Sequence, residues 1–134
     1  MTEFDLKIVT PDGLVYDGKA EELIVRSTSG DLGILAGHVN CVAALGMGRA
    51  TVVLEGRRRY GACIGGMVSV MDGAVTLVPT TFEWAEQIDS ARAERSYARA
   101  KQVLSDKAAA STDIKLAEAR LRRALVRKNV ASGK

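Results

Sequence analysis

Cysteine, proline, histidine and aromatic residues are scarce in this chain, and each shortage removes a class of function. Of 134 residues only Cys41 and Cys63 are cysteines, with no CxxC pair, and His38 is the lone histidine. A metal centre built on Cys and His needs three or four ligands, so none is expected. Two cysteines also make no disulfide framework; in an intracellular protein two reduced thiols are the commoner arrangement, and no function is assigned to them. Aromatic residues make up 4% of the chain, so the core must be built from Val, Ile, Leu, Met and Ala. No stretch approaches the ~20 apolar residues that span a bilayer. The first five residues carry Glu3 and Asp5 with no long apolar run behind them, unlike a secretory leader. These absences together predict a soluble intracellular protein, peripheral to a membrane at most. The length suits one moderate core, or one core plus a helical appendage.

Catalytic patterns are missing too. No GxSxG accompanies His38, which follows Gly37 in a predicted loop. The glycines between Gly61 and Gly66 do not open a helix, so they form neither a Walker nor a dinucleotide loop. Gly46-Met47-Gly48 lacks the modifiable lysine of a carrier domain. Enzymatic activity of the isolated chain is not expected.

What is present divides the chain in two. Residues 1–84 hold 7 basic and 10 acidic side chains, a balance of −3, and residues 85–134 hold 12 and 6, a balance of +6. In the first part Phe4, Leu6 and Ile8 alternate with Asp5 and Lys7, the period of a strand with one dry face. Short apolar segments follow at Leu23–Val25, Ile34-Leu35, Val42–Leu45 and Ala50–Leu54, with turns expected at Pro11-Asp12-Gly13 and Asp17-Gly18. Asp72-Gly73 between Met67–Met71 and Ala74–Val78 is the strongest hairpin signal, since a primed two-residue turn needs the positive φ that Asp and Gly tolerate. Short, evenly spaced strands predict an antiparallel β-sandwich over 1–84. Pro79 is read as ending the last strand, with Thr80–Gln87 a connector.

From Asp89 the period becomes helical. Ala93, Tyr97, Ala100 and Leu104 form one stripe, and Asp89 or Ser90 is placed to cap the helix. Ala108–Thr112 reads as a connection, and a second helix from about Asp113 puts Ile114, Ala117, Leu121, Ala124 and Leu125 on one face. The expectation for 85–134 is an antiparallel helical hairpin with thin apolar stripes, hence a loosely held, mobile element. Arg92, Arg95 and Arg99 recur at i, i+3 and i+7 on the first helix, and Arg120, Arg123 and Arg127 repeat that spacing on the second. Guanidinium forks match phosphate oxygens, so a nucleotide between the rows near Glu83 and Asp89 is one reading. On spacing alone a solvated basic face is the commoner outcome, and for Asp89 alone a simple cap.

Four motifs in order then point to one family. Ile8-Val9-Thr10-Pro11-Asp12-Gly13 with Val15-Tyr16-Asp17-Gly18, the run Ser29-Gly30-Asp31-Leu32-Gly33-Ile34-Leu35-Ala36-Gly37-His38, Gly65-Gly66 before Val68–Val70, and Ile88-Asp89-Ser90-Ala91-Arg92-Ala93 resemble the epsilon subunits of F-type ATP synthases over nearly the whole chain. The resemblance implies a non-catalytic rotor subunit, with a β-sandwich (1–84) bound to the gamma subunit and the c-subunit ring. It also implies a helical hairpin (85–134) that lies folded or extends into the catalytic alpha/beta head, where it restrains hydrolysis. Asp31 matches a loop acid facing the c ring, and His38 a position near gamma. By the same resemblance Glu83, Asp89, Arg92, Arg99, Arg123 and Arg127 are ATP contacts, with Arg122 or Arg120 as alternatives for the last two. ATP then enters as a regulatory ligand, with no cofactor required and no metal. The implied location is the cytoplasmic side of a bacterial inner membrane, held there through the complex. Ala36 stands where proline is usual, and Trp84 where a polar residue is common; its ring either stacks on adenine or blocks it. A free-standing ATP sensor is the second reading. A nucleic-acid module ranks last, because Tyr97 is the sole aromatic residue among the basic ones.

Overall fold

The computed structural model describes residues 2–106 and 108–133, which fall into two compact units dividing between Trp84 and Ala85. The first unit is a sandwich of two five-stranded sheets. Its strands are β1 (Phe4–Thr10), β2 (Gly13–Ala20), β3 (Glu22–Ser27), β4 (Gly30–Leu35), β5 (Cys41–Ala44), β6 (Met47–Leu54), β7 (Arg57–Ile64), β8 (Met67–Met71), β9 (Ala74–Val78) and β10 (Thr81–Trp84). One sheet runs β2-β1-β9-β8-β5 and the other β10-β7-β6-β3-β4. Every pairing is antiparallel except β1 with β9, which the chain reaches only after crossing to the second sheet and back.

Alternation decides which side chains meet between the sheets. Leu6, Ile8, Val68, Val70, Val75 and Leu77 point inward from the first sheet, and Leu23, Val25, Ile34, Ala50, Val52 and Cys63 from the second. All twelve are buried, and each Val, Leu or Ile contributes about 1.5–3 kcal/mol by leaving water. The turns are built from local chemistry. Thr10 Oγ1 accepts from the Asp12 amide at 3.2 Å, and Ser27 Oγ accepts from the Ser29 amide at the same distance, so each hydroxyl shapes the turn it opens. Asp72 (φ 50°) and Gly73 (φ 84°) form the expected primed turn, and the Asn40 side chain accepts from the Asp72 amide at 2.8 Å.

Two expectations about the sandwich need correction, and one strand was missed. Asp17-Gly18 is not a turn but lies inside β2; a side chain at Gly18 would come within 2.9 Å of the Tyr16 hydroxyl, so that glycine makes room for a ring. Thr80–Gln87 is not a plain connector: Thr81–Trp84 pairs with β7, and Ala85–Gln87 makes a 3-10 turn. The strand β7 escaped the apolar pattern because Arg57, Arg58 and Arg59 occupy its first half. Its turn from β6 is fixed instead by buried Glu21, whose Oε1 accepts from the Gly56 amide at 2.6 Å.

The second unit holds α1 (Ser90–Ser105) and α2 (Ser111–Ala131). Asp89 caps α1, its Oδ1 accepting from the Arg92 amide at 3.0 Å. The helices run antiparallel: Lys128 near the end of α2 reaches Glu94 near the start of α1 at 3.2 Å and lies 4.0 Å from the centre of the Tyr97 ring. The buried residues are Ala93 and Ala100 on α1, with Ala117, Ala124 and Val130 on α2. The larger side chains of the predicted stripes are not fully buried, Tyr97, Leu104, Ile114 and Leu121 being half-buried and Leu125 exposed, and α2 starts two residues before Asp113. Helical spacing therefore located the hairpin, but alanine, whose methyl lets two backbones approach, forms the seam.

Candidate functional site

The second unit carries an open groove of about 800 Å³ along one face of the hairpin. Ser96, Arg99, Ala100 and Val103 of α1 form one wall, following the i, i+3, i+4, i+7 rule for a single helix face. Leu116, Ala117, Arg120, Arg123 and Arg127 of α2 form the other, and Asp106, Ala108 and Asp113 close the connector end. Four arginines thus line one space, Arg99 from α1 and Arg120, Arg123 and Arg127 from α2. Like charges so placed repel, and a polyanion between them converts that repulsion into attraction.

Three of the six predicted ATP contacts, Arg99, Arg123 and Arg127, lie on this groove. The other three do not. Asp89 is the helix cap, Arg92 is exposed outside the lining, and Glu83 is a half-buried residue of β10 in the first unit. The first arginine row reaches the groove only through Arg99, because the concavity lies toward the connector end and Arg92 is two helical turns away. Of the two alternatives on α2, Arg120 lines the groove, whereas Arg122 borders a separate hollow with Lys115 and Glu118. Val103, Asp106, Asp113 and Leu116 were not singled out from sequence. Their signal was available: each sits three or four residues from Arg99, Arg120 or a fellow lining residue.

Trp84 offers no free face for a base. It is 4% exposed, the Arg59 guanidinium lies 3.8 Å from its ring, and Phe82 meets it edge-on at 4.9 Å. Tyr97, the aromatic residue of the hairpin, carries Lys128 at 4.0 Å and Lys101 at 5.5 Å and does not line the groove.

The sandwich presents a different surface. On the outward side of its first sheet Ala44 of β5, Met67 of β8 and Val78 of β9 stand in one row, with Val42 and Met71 nearby. Val42, Met67, Met71 and Val78 are each at least 44% exposed. Exposed apolar rows of this kind are suited to contact with another protein. Asp31 lies near the start of β4 and His38 just beyond its end: exposed Asp31 is 3.4 Å from Arg26, and half-buried His38 places Nδ1 2.8 Å from the Val39 carbonyl. Cys41 is half-buried and Cys63 buried, both as free thiols, and burial pushes the Cys63 thiol up to about 12. Among the described residues no cluster of His, Cys, Asp or Glu suits a metal ion, and no helix is long and apolar enough to cross a membrane.

Comparison with known proteins covers both units. Residues 3–85 match the family model for the beta-sandwich domain of the ATP synthase delta/epsilon chain, and residues 86–132 match the model for its long alpha-helix domain. The ATP synthase epsilon chain of Ruminococcus albus is 40% identical over the full length of both chains, and that of Bacillus velezensis 42% identical over 98% of each. Among solved structures, a chain of the Euglena gracilis mitochondrial ATP synthase superposes with a TM-score of 0.80 at 22% identity, covering 91% of this chain and 77% of that one. A chain from the central stalk and c-ring of the Tetrahymena thermophila enzyme gives 0.67 at 10% identity over 97% of each.

Proposed function

The chain belongs to the ATP synthase delta/epsilon family, as an epsilon subunit of the F-type central stalk, and we propose that it couples the rotor and restrains ATP hydrolysis through its helical hairpin. In this reading the subunit carries out no chemistry. Its sandwich is the fixed part, held to gamma and the c ring by the apolar outer face of the first sheet and by the Asp31 and His38 ends of β4. The assembly places it on the cytoplasmic face of a bacterial membrane, without a span of its own.

The observation that carries the regulatory part is the convergence of Arg99, Arg120, Arg123 and Arg127 on one groove. With the groove empty the arginines oppose the closed hairpin. ATP, with its polyphosphate between them, favours the closed form by exactly the free energy with which it binds that form better than the open one. Opened, the same basic faces meet acidic segments of the beta subunits, and the hairpin obstructs rotation in the hydrolytic direction. Titration of the purified chain with ATP tests this: a saturable signal that Arg123→Ala weakens at least tenfold supports it, and no response at millimolar ATP ends it. A pull-down from native lysate separates this reading from a free-standing sensor, since only a rotor subunit brings down gamma and the head. The exposed apolar sheet favours the rotor subunit.

A further inference from the structure

Away from the groove, at the edge of the alanine seam, the two helices meet through the ammonium group of Lys128. Its Nζ lies 3.2 Å from a Glu94 carboxylate oxygen and 4.0 Å from the centre of the Tyr97 ring, both partners belonging to α1. Glu94 and Tyr97 are three residues apart, so they share one helix face and flank the position between them. At about 100° per residue, Glu94, Tyr97 and Lys101 leave α1 on one side of the line through Ala93 and Ala100, and Ser96, Arg99 and Val103 leave it on the other. On α2, Lys128 stands one turn beyond Ala124 and does not line the groove, although its neighbour Arg127 does. The seam thus has a repulsive flank of arginines and an attractive flank built on Lys128.

Two simpler roles leave this geometry unexplained. Glu94 is 64% exposed, and an ion pair in water is worth little. Lys128 also lies in the last turn of α2, where any cation complements the helix dipole. Its side chain, however, is only 27% exposed, and its ammonium sits over a ring of the opposite helix, a contact that strengthens as water is removed. Lys101 lies 5.5 Å from the same ring but comes from Tyr97's own helix, so it ties nothing across the seam. We infer that Lys128, Glu94 and Tyr97 form a clasp that holds the hairpin closed against its own arginines, and that the charge of Lys128 sets how readily the helices part. The inference goes beyond the proposed ligand reading and needs no ligand for its test.

That test is amide hydrogen exchange of the full chain without nucleotide, comparing wild type with Lys128→Met, which keeps a long apolar stem but no charge, and with Lys128→Arg. Lys128→Met is expected to speed exchange about tenfold around both Tyr97 and Ala124, with the strands of the sandwich unchanged, whereas Lys128→Arg stays within about threefold of wild type. In a Tyr97→Leu background the further effect of Lys128→Met falls below about threefold, because the ring that the ammonium served is gone. An effect of Lys128→Met below threefold in α1, or one confined to the last turn of α2, overturns the clasp and leaves a cation serving only the dipole. Equal effects of Met and Arg overturn the role of charge. A tenfold effect that persists without the Tyr97 ring overturns the assignment of that partner.

Discussion

The two units of this chain achieve order by different means. The sandwich encloses a cluster of sixteen buried residues that includes Leu6, Ile8, Leu23, Ile34, Leu77 and Trp84. The described buried residues of the hairpin are four alanines and Val130. A buried Leu or Ile contributes about 1.5–3 kcal/mol, but an alanine methyl contributes about 0.8 kcal/mol. The sandwich is therefore overdetermined by its own side chains, while the hairpin is balanced finely enough for a ligand to matter. A ligand at a hundred times its dissociation constant adds about 2.7 kcal/mol, comparable to the whole contribution of several such alanines. Rigidity in the sandwich and responsiveness in the hairpin follow from one compositional choice, large aliphatics against alanine.

Substitutions that exchange these properties break the contrast. Leu23→Ala, at a position with no exposure, is expected to cost about 3 kcal/mol and to lower the sandwich melting transition followed by Trp84 fluorescence. Ala100→Leu overpacks the hairpin seam at an expected cost of about 2 kcal/mol, seen as lost helical circular dichroism with the Trp84 transition unchanged. Alkaline pH probes the sandwich through Cys63. Burial holds the Cys63 thiol up to about 12, above its ordinary 9.0, so the native state keeps a proton that the unfolded chain releases. The thiol's contribution to stability is thus full below pH 9 and falls between pH 9 and 12 by about 1.4 kcal/mol per unit. The difference between wild type and Cys63→Ala in urea melts across that window isolates the thiol's share. Smallest is Asp89→Ala, which removes the cap of α1 and is expected to cost about 1 kcal/mol, read as fraying of the first turn in amide exchange.

Legibility in the sequence followed the same divide. Strands with clean alternation, such as Phe4–Thr10, and the Asp72-Gly73 turn are written in local residue choice, and they stand where expected. β7 and β10 are not: the arginines of β7 and Glu83 of β10 interrupt their apolar rhythm, and β10 pairs with β7 across an intervening hairpin. The parallel β1–β9 pairing is a fact of topology that no local pattern carries. For the groove, spacing correctly put Arg120, Arg123 and Arg127 on one helix face. It gave no means of telling where along the hairpin the two rows come together, so Arg92 and Arg99 looked equivalent. The structure separates them by showing that the concavity belongs to the connector end.

Hydrogen exchange of the intact chain with and without saturating ATP tests the contrast between the units most directly. The account predicts added protection confined to Ser90–Ser105 and Ser111–Ala131, strongest around Arg99 and Arg123, with the strands of the sandwich unchanged. Slow, ATP-independent exchange in both helices, matching that of the central strands, would contradict it.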